Sequence, residues 1–247
     1  MKLFFARLTS APHLIRMDLL LLLLPLVLWS GLTLLRPYLI TPHCLVPAGQ
    51  TSLCHSENVL PVDRVALGLN SSDADRYSYY TQNFSGVLAF SAPVLWHGLW
   101  AVLGRTSPLM ALTGLSIDLA IITEITLWNG AIGETVRIIS QRPRPFVYAD
   151  TASAGANPAH YISFYSGHTS FAAAASLGFV LFLLGRGAPG WLTAFSFIGF
   201  ELLTFSTGIF RILAGRHFVT DVLAAAVAGS VIAFTIAWLH RDKSPEV

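Results

Sequence analysis

The sequence predicts an all-α fold: an integral membrane bundle of six transmembrane helices with both termini in the cytoplasm. Three observations carry that reading. Of the 247 residues, 54% are hydrophobic and only 11% charged, where a soluble domain carries about a quarter charged residues. Mean hydropathy is +0.62. The apolar residues also gather into six segments of near-spanning length instead of alternating with polar ones, which excludes a closed barrel. The same apolar fraction excludes a disordered chain, and 19 glycines and 13 prolines in no regular period exclude a collagen-like repeat. Fifteen basic against 13 acidic residues leave a net charge of +2, which gives no ground for a nucleic-acid partner.

The first segment runs from Asp18 to Leu35 behind Lys2, Arg7 and Arg16. A secretory leader has a similar layout, but no convincing small-x-small cleavage site follows, so the segment is read as a retained anchor. The others are Phe84 to Gly104, Leu109 to Ile132, Ser170 to Gly185, Trp191 to Phe210 and Val222 to Leu239. Residues 1–247 therefore form a single transmembrane domain. A polar external loop, 36–83, joins the first two spans and holds both cysteines, Cys44 and Cys54. So close a pair, with no third cysteine, suggests a disulfide in an oxidising compartment. Asp118, Glu124 and Glu201 fall inside apolar segments, where a charge costs at least about 2.5–3.5 kcal/mol. They are expected to face the bundle interior, paired or protonated, and His97 to be a core residue with a satisfied ring.

Orientation follows from the cations. With the N-terminus inside, Lys2, Arg7, Arg16, Arg105, Arg186, Arg241 and Lys243 are cytoplasmic, and Arg36, Arg64, Arg76, Arg137, Arg142, Arg144, Arg211 and Arg216 are external. Seven against eight is no bias. Five of the external cations, however, cluster at Arg137 to Arg144 and Arg211 to Arg216, and without them the ratio is seven to three. Cations that resist the orientation rule are expected to have another task.

Three stretches on that side carry the chemistry. The first is Arg137-Ile-Ile-Ser-Gln-Arg-Pro-Arg144-Pro145, at the outer end of the third span. Tyr165-Ser166-Gly167-His168 opens the fourth. The third, Arg211-Ile-Leu-Ala-Gly-Arg-His217-Phe-Val-Thr-Asp221, closes the fifth span and opens the sixth. Arg137, Arg144 and Arg211 concentrate three permanent cations, each able to fork onto two oxygens, between low-dielectric helices. A phosphate balances such a cluster. Ser166 can donate its hydroxyl to it, and the N–H groups of Gly167 and His168 would point outward at a helix N-terminus, where anions are favoured. His217 and Asp221 stand one helical turn apart, so the carboxylate can accept from Nδ1–H and leave Nε2 free to attack. His168, on another helix, can protonate the leaving oxygen. Glu134, three residues before Arg137, is expected to buttress that arginine. A metal held by His168, His217 and Asp221 is disfavoured by the three cations beside it, so no metal and no cofactor is expected.

These stretches resemble the three signatures of the type-2 phosphatidic acid phosphatase superfamily, the lipid phosphate phosphatases related to vanadium haloperoxidases and bacterial acid phosphatases. The family pattern reads K-x6-R-P, P-S-G-H and S-R-x5-H-x3-D. Here the matches are Arg137-x6-Arg144-Pro145, then Tyr165-Ser166-Gly167-His168, then Phe210-Arg211-x5-His217-x3-Asp221, with Arg137, Tyr165 and Phe210 replacing Lys, Pro and Ser. The resemblance implies a metal-independent phosphatase with its site at the external face. By position, His217 would be the nucleophile, Asp221 its partner and His168 the acid, while Arg137, Arg144, Ser166, Gly167 and Arg211 hold the phosphate. A site at span ends suits a lipid phosphate or diphosphate, such as phosphatidate, phosphatidylglycerol phosphate, a polyprenyl diphosphate or a lipid A phosphate. The expected setting is a bacterial inner membrane, with the bilayer and its lipid substrate as partners and the site facing the periplasm. A phosphotransferase with the same residues and a non-enzymatic anion-binding protein of this fold are the alternatives. Oligomeric state is left open.

Overall fold

The computed structural model describes residues 12–45 and 54–240. Among them there is no strand, and six helices are long and apolar enough to cross a membrane. They are α1 (Pro12–Leu39), α2 (Ser72–Val102), α3 (Pro108–Ser140), α4 (Gly167–Gly185), α5 (Gly190–Leu213) and α6 (Val219–Leu239). Five of the six apolar segments of the sequence lie within one of them, the second overruns its helix by two residues, to Gly104, and several helices run further. α2 begins at Ser72, twelve residues ahead of Phe84, because Ser71 caps it by accepting from Ala74 N–H at 3.2 Å and Asp73 and Asp75 occupy its first turn. The loop assigned to 36–83 is thereby shortened at both ends, to 40–71. α3 continues eight residues past Ile132, and Gln141 ends it in the left-handed conformation at φ 42°. At 33 residues it is about 50 Å long, well beyond the roughly 30 Å hydrocarbon core. It is therefore longer than one crossing requires, and its last turns carry Glu134 and Arg137.

α4 is the hub. More than half of its apolar window is buried, against about a third or less for the others. Small side chains explain why: Ala172 to Ala175 let the neighbouring helices approach closely, and Gly229 of α6 packs directly on the Ser170 carbonyl. α1 is the most peripheral and meets α3, where the Trp29 ring fills the space a side chain at Gly130 would take. Its end is tied down by the Gln141 amide, which accepts from Thr41 N–H at 2.9 Å and donates to the Leu39 carbonyl at 3.1 Å. Cys44 and Cys54 form a disulfide that packs with Ile40, Val147, Tyr161 and Ile162. The Tyr161 hydroxyl accepts from Cys44 N–H at 2.9 Å and donates to the Gly155 carbonyl at 2.7 Å, which joins this loop to the segment before α4. Between α5 and α6 the chain turns at Gly215, φ +65°, with the Leu69 carbonyl directly against its Cα; a side chain there has neither the backbone conformation nor the room.

The ionisable residues inside the spans divide. His97 Nε2 lies 2.7 Å from Asp118, which also takes a two-pronged contact from Arg186 at 2.5 and 2.9 Å. Glu124 is fully buried and 2.7 Å from His240 Nε2. Glu201 departs from expectation: it is exposed on the outer face of α5. The buried stripe of that helix is Thr193, Phe200, Thr204, Thr207 and Arg211, and a residue one position after Phe200 is rotated about 100° away from it.

Candidate active site

One end of the bundle gathers the starts of α2, α4 and α6 and the ends of α3 and α5. There a cavity of about 350 Å³ is lined by Arg137, Arg144, Gly167, His168, Arg211 and His217, together with Asp75, Tyr79, Ile162 and Arg216. Six of the eight residues expected to bind phosphate or do chemistry thus share one wall, although they come from three separate stretches of chain.

Local structure aims each of them. Arg144 is flanked by Pro143 and Pro145, which confine the backbone, and its N–H donates to the His160 carbonyl at 2.9 Å. Its side chain makes no hydrogen bond among the described residues, and its Nε is buried without an acceptor. Arg137 lies in a slot between Gly133 and Gly167, with Nη1 2.6 Å from Glu134 Oε2. Glu134, 1% exposed, also takes Arg36 of α1 at 3.0 Å, so two cations share one carboxylate. Arg211, 3% exposed, donates through Nη1 to Asp75 at 2.5 Å and to Ser78 at 3.2 Å, and its Nε is also buried, with no partner among the described residues. Asp75 reaches Arg216 as well, at 3.1 Å. Gly167 and His168 are the first two residues of α4, so their N–H groups have no partner in their own helix. His168 stands edge-on to Tyr79 at 4.3 Å, and its Nε2 is buried without a partner among the described residues.

The closeness of Gly167 to Arg137 makes a prediction. A Cβ at Gly167 would lie 2.6 Å from Arg137 Nη2, the movable end of a long side chain. Gly167→Ala is expected to leave thermal stability near that of the parent but to push the guanidinium aside, costing about 10²-fold in kcat/KM. Phosphate-release kinetics and a melting curve on the same preparation check both halves.

His217, 3% exposed, is oriented differently from the sequence reading. Its Nδ1 is 2.7 Å from the Ser163 carbonyl and 3.8 Å from Asp221 Oδ2, too far for a hydrogen bond. A carbonyl only accepts, so Nδ1 carries the proton and the lone pair of the neutral ring is on Nε2. Asp221 works one step removed. Its Oδ2 accepts from Ser163 Oγ at 2.6 Å and from Phe218 N–H at 2.8 Å, and its Oδ1 takes Arg142 at 2.5 Å. The carboxylate is occupied by the start of α6 and by the very residue whose carbonyl holds the imidazole. Burial pushes the His217 imidazole down to about 4; the Asp221 carboxylate acts the other way, and the charges of Arg211 and Arg144 push it down further. Burial also holds the Tyr165 hydroxyl above its ordinary range.

Ser166 stands apart from the residues that line the cavity. Its hydroxyl is fully buried, outside the cavity wall, 3.0 Å from Thr169 Oγ1 and accepting from Thr169 N–H at 3.4 Å. Its oxygen caps α4 as an acceptor, a use that does not consume the hydroxyl hydrogen the sequence reading offered to phosphate. Asp75, Tyr79, Ser163 and Arg216 were not assigned from sequence. Arg216 belongs to the cation cluster, and Asp75 to an acidic first turn behind a serine cap; Ser163 acts through both its carbonyl and its hydroxyl and has no signature.

The fold and site define a class: a membrane-helical protein with a histidine-bearing, arginine-walled anion cavity at one end of the bundle. A family model, that of the PAP2 superfamily, matches residues 118–245, and the chain belongs to that superfamily. Members of the superfamily are phosphatases, so phosphoric ester hydrolysis is the general class of activity. No curated protein and no solved structure matches the chain.

Proposed function

We propose that the protein hydrolyses a lipid phosphate or diphosphate at the external membrane face through a phosphohistidine intermediate. The observation that supports this most strongly is the convergence of a neutral imidazole with buried nitrogen atoms of Arg144, Arg211 and His168 that have no partner among the described residues, all on one cavity. Buried donors without acceptors are costly. A phosphoryl group supplies the missing oxygens, and the first-turn N–H groups of α4 supply two more donors.

The steps follow from the atoms. The Nε2 lone pair of His217 forms the bond to phosphorus while the bond from phosphorus to the lipid oxygen breaks. Charge gathers on the non-bridging oxygens between Arg137, Arg144 and Arg211. His168 gives a proton to the departing oxygen. Water then enters from the same side, His168 takes its proton, and the N–P bond breaks to return neutral His217 and inorganic phosphate. Throughout, Nδ1–H stays on the Ser163 carbonyl and steadies the imidazolium charge. Four arginines against one carboxylate in the cavity wall repel a divalent cation, so the chemistry is expected to need none.

A lipid fits because the cavity lies at helix ends, where a headgroup can enter while its tail stays in the bilayer. Phosphatidate, phosphatidylglycerol phosphate, a polyprenyl diphosphate and a lipid A phosphate all present the required group. A bacterial inner membrane with the site facing the periplasm is the setting we infer, in keeping with the disulfide. Purified protein offered each lipid phosphate in detergent, with EDTA and with vanadate, tests the reading. Phosphate release that survives chelation and stops with vanadate is the expected result; strict metal dependence overturns it.

The His217 value gives a pH prediction. Attack requires the neutral ring, and lowering the imidazole from about 6.5 to about 4 moves its protonation to lower pH. The acid limb of kcat/KM, corrected for the second ionisation of the substrate, is expected to be centred near pH 4, where His217 gains its proton, while the limb at higher pH belongs to the loss of the His168 proton. An acid limb centred near 6.5 contradicts it.

A further inference from the structure

Asp63 lies outside all three motif stretches, in the 3-10 turn Pro61–Ala66 of the loop between α1 and α2, yet it is completely buried. Its Oδ1 accepts from Thr220 N–H at 2.9 Å, and its Oδ2 accepts from Thr220 Oγ1 at 2.6 Å and from Arg142 Nη2 at 2.7 Å. Arg142 uses its other nitrogen, Nη1, for Asp221 at 2.5 Å and Thr220 Oγ1 at 2.8 Å. The guanidinium thus spans two buried carboxylates and lies over the Phe218 ring at 4.2 Å. Around them Val59, Ala66 and Phe218 pack into one apolar cluster, which seats the turn against the residue next to His217.

A buried carboxylate so fully hydrogen-bonded is a built feature. Its charge matters as much as its contacts. Behind His217 stand Asp221, Arg142 and Asp63, which sum to one negative charge. Remove the charge of Asp63 and the sum is zero, with Arg142 left to draw wholly on Asp221. Positive charge that develops on the imidazole as it bonds to phosphorus then loses its counter-charge.

We propose that Asp63 is a positioning residue for His217, acting through Arg142 and Asp221; this rests on the phosphohistidine reading above. The loop between the first two helices therefore completes the catalytic apparatus from behind and does more than connect two spans.

The test is a double-mutant cycle on the full-length protein, read as kcat with a lipid phosphate and as the rate of phosphoenzyme formation in a single turnover. Asp63→Asn keeps the shape and removes the charge. It is expected to lower kcat by at least about tenfold with KM little changed. On an Asp221→Asn background the same substitution is expected to cost nothing further, because the relay is already cut. A role in fold alone would reduce both backgrounds by the same factor, in step with the fraction of protein that binds vanadate, and that outcome overturns the proposal. Asp63→Glu, which retains the charge, is expected to recover part of kcat, and it carries the cycle if the amide variant fails to fold. His217→Ala separates the two readings. An active parent, a dead His217→Ala and a parent-like Asp63→Asn defeat this inference alone, whereas an active His217→Ala defeats the mechanism beneath it.

Discussion

His217→Ala is expected to abolish phosphate release, by about 10³-fold or more, with every substrate tried, whereas the loss in His168→Ala is expected to depend on the leaving group. The two rings share a cavity but differ in what they do there. His217 donates Nδ1–H to a carbonyl at 2.7 Å and so offers Nε2 as a nucleophile; without that nitrogen no bond to phosphorus forms. His168 supplies a proton, and a leaving group that departs as a stable anion does not need one. With a lipid phosphate, His168→Ala is expected to lose about 10²–10⁴-fold. With nitrophenyl phosphate the same variant is expected to release a rapid burst of nitrophenol and then turn over slowly, since water attack on the phosphohistidine still lacks its base. Stopped-flow absorbance reads the burst, and acid-quenched protein reads the trapped phosphate. Activity of His217→Ala equal to the parent, or identical losses for His168→Ala on both substrates, contradicts the assignment.

The parts of this site that were legible in the sequence are those set by short spacing. Glu134 and Arg137 are three apart on one helix and meet at 2.6 Å. The x5 and x3 intervals around His217 place it at the turn between α5 and α6, with Asp221 in the first turn beyond. The spans were legible because apolar windows are a bulk property, but their ends were not. Ser72 to Asn83 is too polar to register in a hydropathy window, yet it is helical and presents Asp75, Ser78 and Tyr79 to the cavity residues. Contacts between distant stretches were out of reach. Asp75 and Arg211 are 136 residues apart, and Asp63 and Thr220 are 157 apart; nothing in the periodicity of either segment names the other. Two local rules also competed. Ser166 is a phosphate donor by its motif and a helix cap by its place, and its oxygen accepts from Thr169 N–H because the orphan N–H groups of α4 always need an acceptor. For the imidazole, the nearest sequence neighbour able to accept was a carboxylate, but a backbone carbonyl from another segment lay closer.

Arg144→Met is expected to make the protein more stable and nearly inactive at once. Among the described residues the Arg144 side chain has no hydrogen bond, its Nε is buried, and Arg137, Arg211 and Arg216 share its cavity. Arg137 and Arg211 each have a carboxylate at 2.6 and 2.5 Å; Arg144 has none. A cation so placed raises the free energy of the empty site, and methionine fills similar volume without the charge. Thermal unfolding in detergent is expected to show a gain of about 1 kcal/mol or more. The cost falls on the transition state, where the missing guanidinium would have met charge gathering on the phosphoryl oxygens. Loss of one such donor is worth about 10²–10³-fold in kcat. Inorganic phosphate or vanadate provides the complementary reading, since an anion that binds only the folded state raises stability by mass action. The parent is expected to be stabilised strongly and Arg144→Met weakly, so that their order of stability narrows or reverses as anion is added. Arg144→Lys keeps a cation but loses the planar fork, and is expected to retain the parent's sensitivity to anion while recovering little of kcat. If Arg144→Met is less stable than the parent without anion and responds to it equally, the arginine is a structural member of the bundle and the cavity is not held open at its expense.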